Sequence, residues 1–357
     1  MSHPIGIELT GSTGEPRGFV DPKTRDGRPV LDDLWVMQGS LCDLKCKHCY
    51  TASSPTSHHL EPIRFDELRP HLDDARACGV QKIYFTGGEV FVTEDVLRGR
   101  AETNEEFLAS LEHALAIAPT EILTNGRRYI RNHFDALTRL HRRHGDRLRL
   151  RISLESFLPE DHDSIRGRGT FAQTVETISR LAAVGFVPII TAERPFLKIS
   201  DDEEIRGRFT ELFEKRGVRV EVNLIENILE MGHQLAQLEK AGRRPSAEVF
   251  ITTHCFQILN KPPESLMCHY SRCIQKIAGR IRFYPCPVIY DDERFDLGGT
   301  LAESFQRVYL GHKNCYDYCL KGKGATCRTQ PLATQEQYAH QSEPSRPAEL
   351  GSGQGPW

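Results

Sequence analysis

The sequence predicts an α/β fold, a partial (βα)6 TIM-like barrel with a small cysteine-rich module at its C-terminal end. Three observations predict it. Over residues 31–230 short apolar runs alternate with longer amphipathic stretches, the pattern of a parallel sheet with helices packed outside it. Polar or glycine-bearing loops follow the apolar runs, where barrels and open α/β sheets place their reactive groups. Beyond residue 254 the alternation stops and cysteines become dense. Six βα units are too few to close an eightfold barrel, so the sheet should stay open.

The elements run in order. Residues 34–37 (LWVM) form the first strand and lead into a cysteine-bearing loop. Residues 65–77 have helical spacing, with Leu68, Leu72 and Ala75 on one face, and stop at Cys78-Gly79. Residues 82–85 (KIYF) form a second strand that ends in Thr86-Gly87-Gly88-Glu89. A helix over 104–117 precedes a third strand at 121–123, capped by Thr124-Asn125-Gly126. A helix near 131–142 precedes a fourth strand over 149–154, which closes on Ser153-Leu154-Glu155. Helix 171–183, strand 186–191, helix 204–215 and strand 218–224 complete the six units. Residues 1–30 read as a polar N-terminal extension, 31–230 as the barrel, and 231–254 as a linker with a polar helix. Residues 255–328 form the cysteine-rich module, and 329–357, rich in Gln, Glu, Ser, Pro and Gly, read as a disordered tail.

Of the 357 residues 39% are hydrophobic, and the formal net charge is -3 with both signs interspersed. No basic stripe is present, which argues against nucleic acid as a partner. No apolar run approaches the ~18 residues of a membrane span, and the N-terminus has no signal-peptide core. A cytoplasmic protein with no membrane contact is expected. In that compartment thiols stay reduced, so the clustered ones among 11 cysteines should ligate metal or iron–sulfur centres rather than form disulfides.

Cys42, Cys46 and Cys49 follow the spacing C-x3-C-x2-C, so one loop can wrap one compact centre. A structural zinc site wants four ligands, commonly as two separated pairs; here the fourth would be His48 or a distant residue. A [4Fe–4S] cluster ordinarily takes four thiolates, and three would leave one iron open to an exogenous ligand. Gly87-Gly88 would let backbone approach a ligand closely, or would make a plain turn. Ser153 and Glu155 offer donor and acceptor capacity for a diol, or simply a solvated strand end. No G-x-S-x-G, H-E-x-x-H or Walker loop occurs, and His58-His59 reads as an exposed pair.

Taken in order along the chain, Cys42, Cys46, Cys49 and Tyr50, then Gly87-Gly88-Glu89, Thr124-Asn125-Gly126 and Ser153-Leu154-Glu155 resemble the motifs of the radical S-adenosylmethionine (radical SAM) superfamily. The resemblance implies a [4Fe–4S] cluster on the three cysteines, its open iron chelated by S-adenosylmethionine. It implies that Tyr50 packs beside the adenine and that Gly87, Gly88 and Glu89 serve the methionyl ammonium. Asn125 belongs to a further cofactor-side turn, Ser153 and Glu155 face the ribose hydroxyls, and Asn223 and Ile225 line the adenine pocket. Arg166, in a segment similar to one in peptide-modifying relatives, would grip a carboxylate of cofactor or substrate; a surface salt bridge is its commoner use.

The later cysteines resemble the SPASM or shorter twitch extension of that superfamily. Cys268-x4-Cys273, a hairpin over 279–285 ending at Cys286, and the return Cys315-x3-Cys319-x7-Cys327 carry the resemblance. Wider spacings and fewer thiols than the full SPASM pattern imply one auxiliary [4Fe–4S] cluster. Cys268, Cys273 and Cys286 would hold it, with Cys327 as fourth ligand and Cys319 or Cys315 in reserve. A second cluster, or a zinc knuckle of Cys315, Cys319 and Cys327, is the alternative. Cys255 reads as a buried structural thiol or a hydrogen-atom donor, and Cys78 as structural.

The implied activity is reductive cleavage of S-adenosylmethionine to a 5′-deoxyadenosyl radical, fed by an electron donor such as flavodoxin or ferredoxin. Hydrogen abstraction from a small polar metabolite or a ribosomal peptide would follow, oxidatively with the auxiliary cluster. The ~30 residues before the first strand are few for a leader-binding domain of the usual size, which tilts the expectation slightly toward a metabolite. A redox-neutral epimerase using a Cys255 donor and a non-catalytic Fe–S or zinc protein are the competing readings.

Overall fold

The computed structural model describes residues 6–320 apart from 13, 228, 245–247 and 291; Cys327 and the expected tail lie outside the described residues. Six parallel strands pair in sequence order: β1 (Asp33–Met37), β2 (Lys82–Thr86), β3 (Thr120–Thr124), β4 (Leu148–Ser153), β5 (Ile189–Glu193) and β6 (Glu221–Ile225). The (βα)6 open barrel is therefore the architecture. It is extended on one side by β7 (Ser271–Ile277), parallel to β1, and β8 (Arg280–Tyr284), antiparallel to β7. The sheet thus has eight strands in the order β8-β7-β1-β2-β3-β4-β5-β6. The hairpin expected inside the cysteine-rich module lies in the barrel's own sheet. All five residues of β1 are buried, and an unpaired edge there would strand its backbone donors and acceptors away from water.

The helices follow from spacing and capping. Helix α1 (Phe65–Ala77) buries Leu68, Leu72 and Ala75, the face its spacing predicts. Helix α2 (Glu105–Ile117) starts where the Asn104 side chain accepts from the Phe107 N–H. The helix expected near 131–142 is two pieces, Arg128–Asn132 and α3 (Phe134–His144), separated at His133. The buried His133 ring explains the break: Nδ1 donates to the Tyr129 carbonyl and Nε2 accepts from the Asn104 N–H at 2.7 Å. Helix α4 (Pro159–Arg166) opens with proline in its first turn, where the missing N–H has no intrahelical partner to lose. Helices α5 (Thr170–Ala183) and α6 (Asp202–Glu214) complete the outer layer.

Residues before β1 bind the C-terminal module. Phe19 and Val20 pair antiparallel with Tyr309 and Val308, Lys23 N donates to His269 O, and the Asp32 N–H to Tyr270 O. Arg17 is buried, donates to Leu310 O at 3.0 Å and also bonds Glu8 O. The polar stretch is a strap across the module, its polarity used in these contacts. Among the described residues every cysteine is a free thiol, and no helix is long and apolar enough to cross a membrane.

Candidate active site

β1 delivers residues 38–50 to the C-terminal end of the sheet, where three thiols open onto one cavity. Cys42, Cys46, Cys49 and Tyr50 line it together with Gly87 and Gly88 after β2, Asn125 after β3 and Ser153 closing β4. Thr191, Ile225 and Arg166 line it too; Asn223 is not among the lining residues. Burial pushes the Cys42 thiol well above its ordinary pKa and that of Cys46 up to about 11. Bare, these two thiols stay protonated and inert, and bound metal is what would hold them as thiolates. Three thiols spread around a cavity suit a wider, polynuclear iron–sulfur group.

The glycine motif packs protein against protein. A Cβ on Gly88 would lie 2.1 Å from Leu41 O, and one on Gly87, at φ +133°, 2.5 Å from Gly39 O. The Gly88 N–H donates to Gly39 O at 2.8 Å and the Glu89 N–H to Leu41 O at 2.9 Å. These glycines seat the end of β2 on the cysteine loop while bordering the cavity. Glu89, expected beside the methionyl ammonium, is engaged by protein donors here. Its buried carboxyl accepts from Thr124 Oγ1 and from the Asn125 N–H at 2.8 Å, stapling β2 to β3. Burial, and then the Asp43 charge, push its pKa up to about 8. Asn125 in turn donates to Asp43 Oδ1 at 2.7 Å, within the cysteine loop.

Glu155 is not a solvated strand end. It is 2% exposed and sits in a buried charge network under the cavity. Arg166 donates to its Oε1 through Nε at 2.8 Å and Nη2 at 2.5 Å, and His48 Nε2 lies 3.0 Å from the same oxygen. The Glu193 N–H donates to Oε2 at 3.2 Å. Arg166 therefore grips an internal carboxylate, not a surface one, and faces the cavity beside Cys46. Burial would lift Glu155, but Arg166 and then His48 outweigh it and hold the carboxylate ionised, below its ordinary range. Burial pushes Glu193 up to about 7. For His48 burial pulls down, yet Glu193 and Glu155 win and raise its pKa. Sequence reasoning weighed His48 only as a ligand and passed over Glu193, whose place on β5 beside β4 is a matter of sheet pairing.

The cysteine loop is also held from outside the barrel. Helix α7 (Gly232–Lys240) starts against it. The His233 N–H donates to Cys49 O at 2.9 Å, and His233 Nδ1 donates to Cys46 O at 2.9 Å. Gly232, at φ +53°, leaves no space for a side chain: a Cβ would meet Tyr50 O at 2.3 Å and Cys49 O at 2.5 Å. Tyr290 donates its hydroxyl to Tyr50 O at 2.7 Å. No local signal marks Gly232, His233 or Tyr290 in the sequence, because their partners lie some 180 to 240 positions away.

A second group of thiols collects behind β7. Cys268, Cys273, Cys286 and Cys315 are all buried. Cys268 and Cys286 feel each other and Cys315, and Cys286 also feels Cys273. Burial pushes Cys268 and Cys315 up to about 12 and Cys286 and Cys273 upward as well. The described residue that joins the expected three is Cys315 rather than Cys319, which is half-buried nearby in sequence. Cys255, the expected structural thiol or hydrogen donor, stands apart: its Sγ lies 3.4 Å from the Thr252 N at the start of helix α8 (Thr253–Ile258), and it is not among the residues lining the cavity. Cys78 caps the end of α1, and His58 and His59 are exposed.

The sequence profile of the Radical SAM superfamily matches residues 38–211. The antilisterial bacteriocin subtilosin biosynthesis protein AlbA of Bacillus subtilis (strain 168) is 33% identical over 145 residues, 40% of this chain and 29% of that protein. GTP 3′,8-cyclase 3 of Mycobacterium bovis is 28% identical over 206 residues, 57% of this chain and 50% of that protein. The chain thus spans half or less of these curated relatives. Among solved structures, native anSMEcpe with bound AdoMet superposes with TM-score 0.47 at 16% identity over 80% of this chain and 82% of the other. Streptococcus suis SuiB bound to precursor peptide SuiA superposes with TM-score 0.49 at 14% identity, over 72% and 60%.

Proposed function

Residues 38–211 place this chain in the radical SAM superfamily, and from that premise we propose that it modifies a ribosomally made peptide through hydrogen abstraction. Cys42, Cys46 and Cys49 would hold the [4Fe–4S] cluster, and the cavity they share with Gly87, Gly88, Asn125, Ser153 and Ile225 would take S-adenosylmethionine. The cluster, when bound, supplies the electron that releases a 5′-deoxyadenosyl radical. The chain's own residues bind, orient and shield. Tyr50, Ser153 and Thr191 offer a ring and hydroxyls along the cavity wall. Arg166, charged and set by Glu155, presents a guanidinium where a carboxylate of cofactor or substrate could meet it. Gly232, His233 and Tyr290 brace the outer side of the cysteine loop.

The observation that carries the peptide reading is an open cleft of about 640 Å³ beside the cluster loop, lined by His59, Arg280, Arg282, Tyr290, Glu293 and Asp296 among others. Tyr290 belongs to this cleft and also touches Tyr50 of the inner cavity. An open, mixed-charge cleft tied through Tyr290 to the cysteine loop suits an extended chain with one residue placed near the cluster. The similarity to a bacteriocin biosynthesis protein supports the same reading; the similarity to GTP 3′,8-cyclases favours a small-molecule substrate as the second one.

Cys268, Cys273, Cys286 and Cys315 would hold one auxiliary [4Fe–4S] cluster, which supplies an acceptor for the second electron of an oxidative step. The test is anaerobic turnover of the reconstituted protein with S-adenosylmethionine, a reductant and short precursor peptides encoded beside its gene. Peptide-dependent 5′-deoxyadenosine and a product two mass units lighter are expected. Stimulation by GTP or another metabolite, with peptides inert, would select the second reading.

A further inference from the structure

We propose that Arg272 is the built-in counter-charge of the auxiliary site, a buried guanidinium whose anionic partner is the iron–sulfur cluster held by Cys268, Cys273, Cys286 and Cys315. The inference rests on the auxiliary-cluster reading and deepens it. Arg272 lies on β7 next to Cys273 and is fully buried. Its Nε donates to Ser304 O at 2.9 Å and its Nη1 to Cys268 O at 2.8 Å and Ser271 O at 2.6 Å. All three are carbonyls. Nη2 is buried with no hydrogen-bond partner among the described residues.

The contrast with the other buried arginines decides what this means. Arg17 has Glu248 at 3.5 Å and Arg151 has Glu121 at 2.6 Å. Arg272 has no carboxylate in ion-pair range among the described residues; beyond its three carbonyls it meets the Phe305 ring, 5.4 Å from its Cζ. A guanidinium is cationic at neutral pH. A cation out of water without an anion is among the costliest features a core can contain, and neutral thiols cannot offset it. Four thiolates around a [4Fe–4S] cubane do, since that unit is dianionic when oxidised and gains one more charge on reduction. Arg272 would then favour the reduced form over the oxidised one, and Nη2 is the donor that would be available to the cluster. Such a charge raises the potential of the cluster, which suits an electron acceptor.

The experiment uses the full chain carrying C42A, C46A and C49A, so that any remaining iron belongs to the auxiliary site. Iron and sulfide are counted after reconstitution, the midpoint potential is titrated by electron paramagnetic resonance, and melting is compared with and without iron. About four iron atoms per chain are expected in this background. Adding R272Q should move the potential negative, shorten iron retention against a chelator by about tenfold or more, and shrink the melting increment that iron confers. R272K, which keeps the charge, should restore potential and increment even if its apo form melts lower. A background chain without iron refutes the cluster reading itself. An iron-loaded background in which R272Q leaves potential, retention and increment unchanged refutes the role of Arg272 alone. If R272Q does not fold, R272K decides: loss of both potential and increment in a folded, charged variant overturns the proposal.

Discussion

Replacing Gly232 by alanine should open the cysteine loop and empty it of iron. The backbone there has φ +53°, where a non-glycine residue is strained by about 1–2 kcal/mol. The new Cβ would stand 2.3 Å from Tyr50 O, 2.5 Å from Cys49 O and 2.7 Å from Ala52 N. These are backbone atoms and cannot rotate aside, so the two segments must part by about 1 Å to reach ordinary contact. That movement stretches the His233 N–H bond to Cys49 O and the His233 Nδ1–H bond to Cys46 O, both 2.9 Å, beyond useful range. Two lost hydrogen bonds at about 1 kcal/mol each, added to the strain, give roughly 3–4 kcal/mol. The damage falls on the segment carrying Cys46 and Cys49, while the barrel core is untouched. Iron per chain, measured in a C268A/C286A background so that only the loop can contribute, should fall by more than half, and 5′-deoxyadenosine formation should fall with it. G232A with full iron and undiminished cleavage would show that α7 does not hold the loop.

Three further outcomes follow from the same structure. C42A should abolish S-adenosylmethionine cleavage while auxiliary iron remains countable; cleavage above background would remove the thiol from the site. E155Q strips Arg166 of its buried partner and should cost about 3–5 kcal/mol, read as a lower urea midpoint together with loss of iron beside Cys46; an unchanged midpoint would refute the network. The third concerns pH. Burial, and then the Arg166 charge, push His162 down to about 4, and its neutral Nδ1 accepts the Glu155 N–H; burial also lowers His133, whose Nε2 accepts from Asn104. Both folded values lie below the unfolded one, so their stabilisation is complete above pH 6.5 and is lost as pH falls, for His162 through about 4. For His162 this amounts to about 3 kcal/mol at the acid end. Urea unfolding of the apo-protein between pH 7.5 and 4.5 should be less steep in His162→Gln; an identical slope would refute the assignment.

What the sequence determined by itself was local chemistry and its period. The C-x3-C-x2-C loop, the Gly87-Gly88-Glu89 and Thr124-Asn125-Gly126 turns and the alternation of six apolar runs with amphipathic helices are legible because each is carried by residues a few positions apart. The buried face of Leu68, Leu72 and Ala75 follows from helical spacing in the same way. What only the tertiary structure decided was which polar groups face one another. Glu89 points into the staple between β2 and β3, and Glu155 into a network with His48 and Arg166. In each case a carboxylate that looked available for a ligand is already engaged by protein donors. The hairpin Ser271–Tyr284 joins the barrel because β1 needs a second neighbour, and the polar N-terminal stretch becomes a strap because Val308 and Tyr309 offer it an edge. Gly232 and Arg272 carry no local pattern at all; their meaning lies in backbone and thiols brought close by folding, where contact distance and missing counter-charge, rather than sequence spacing, set the constraint.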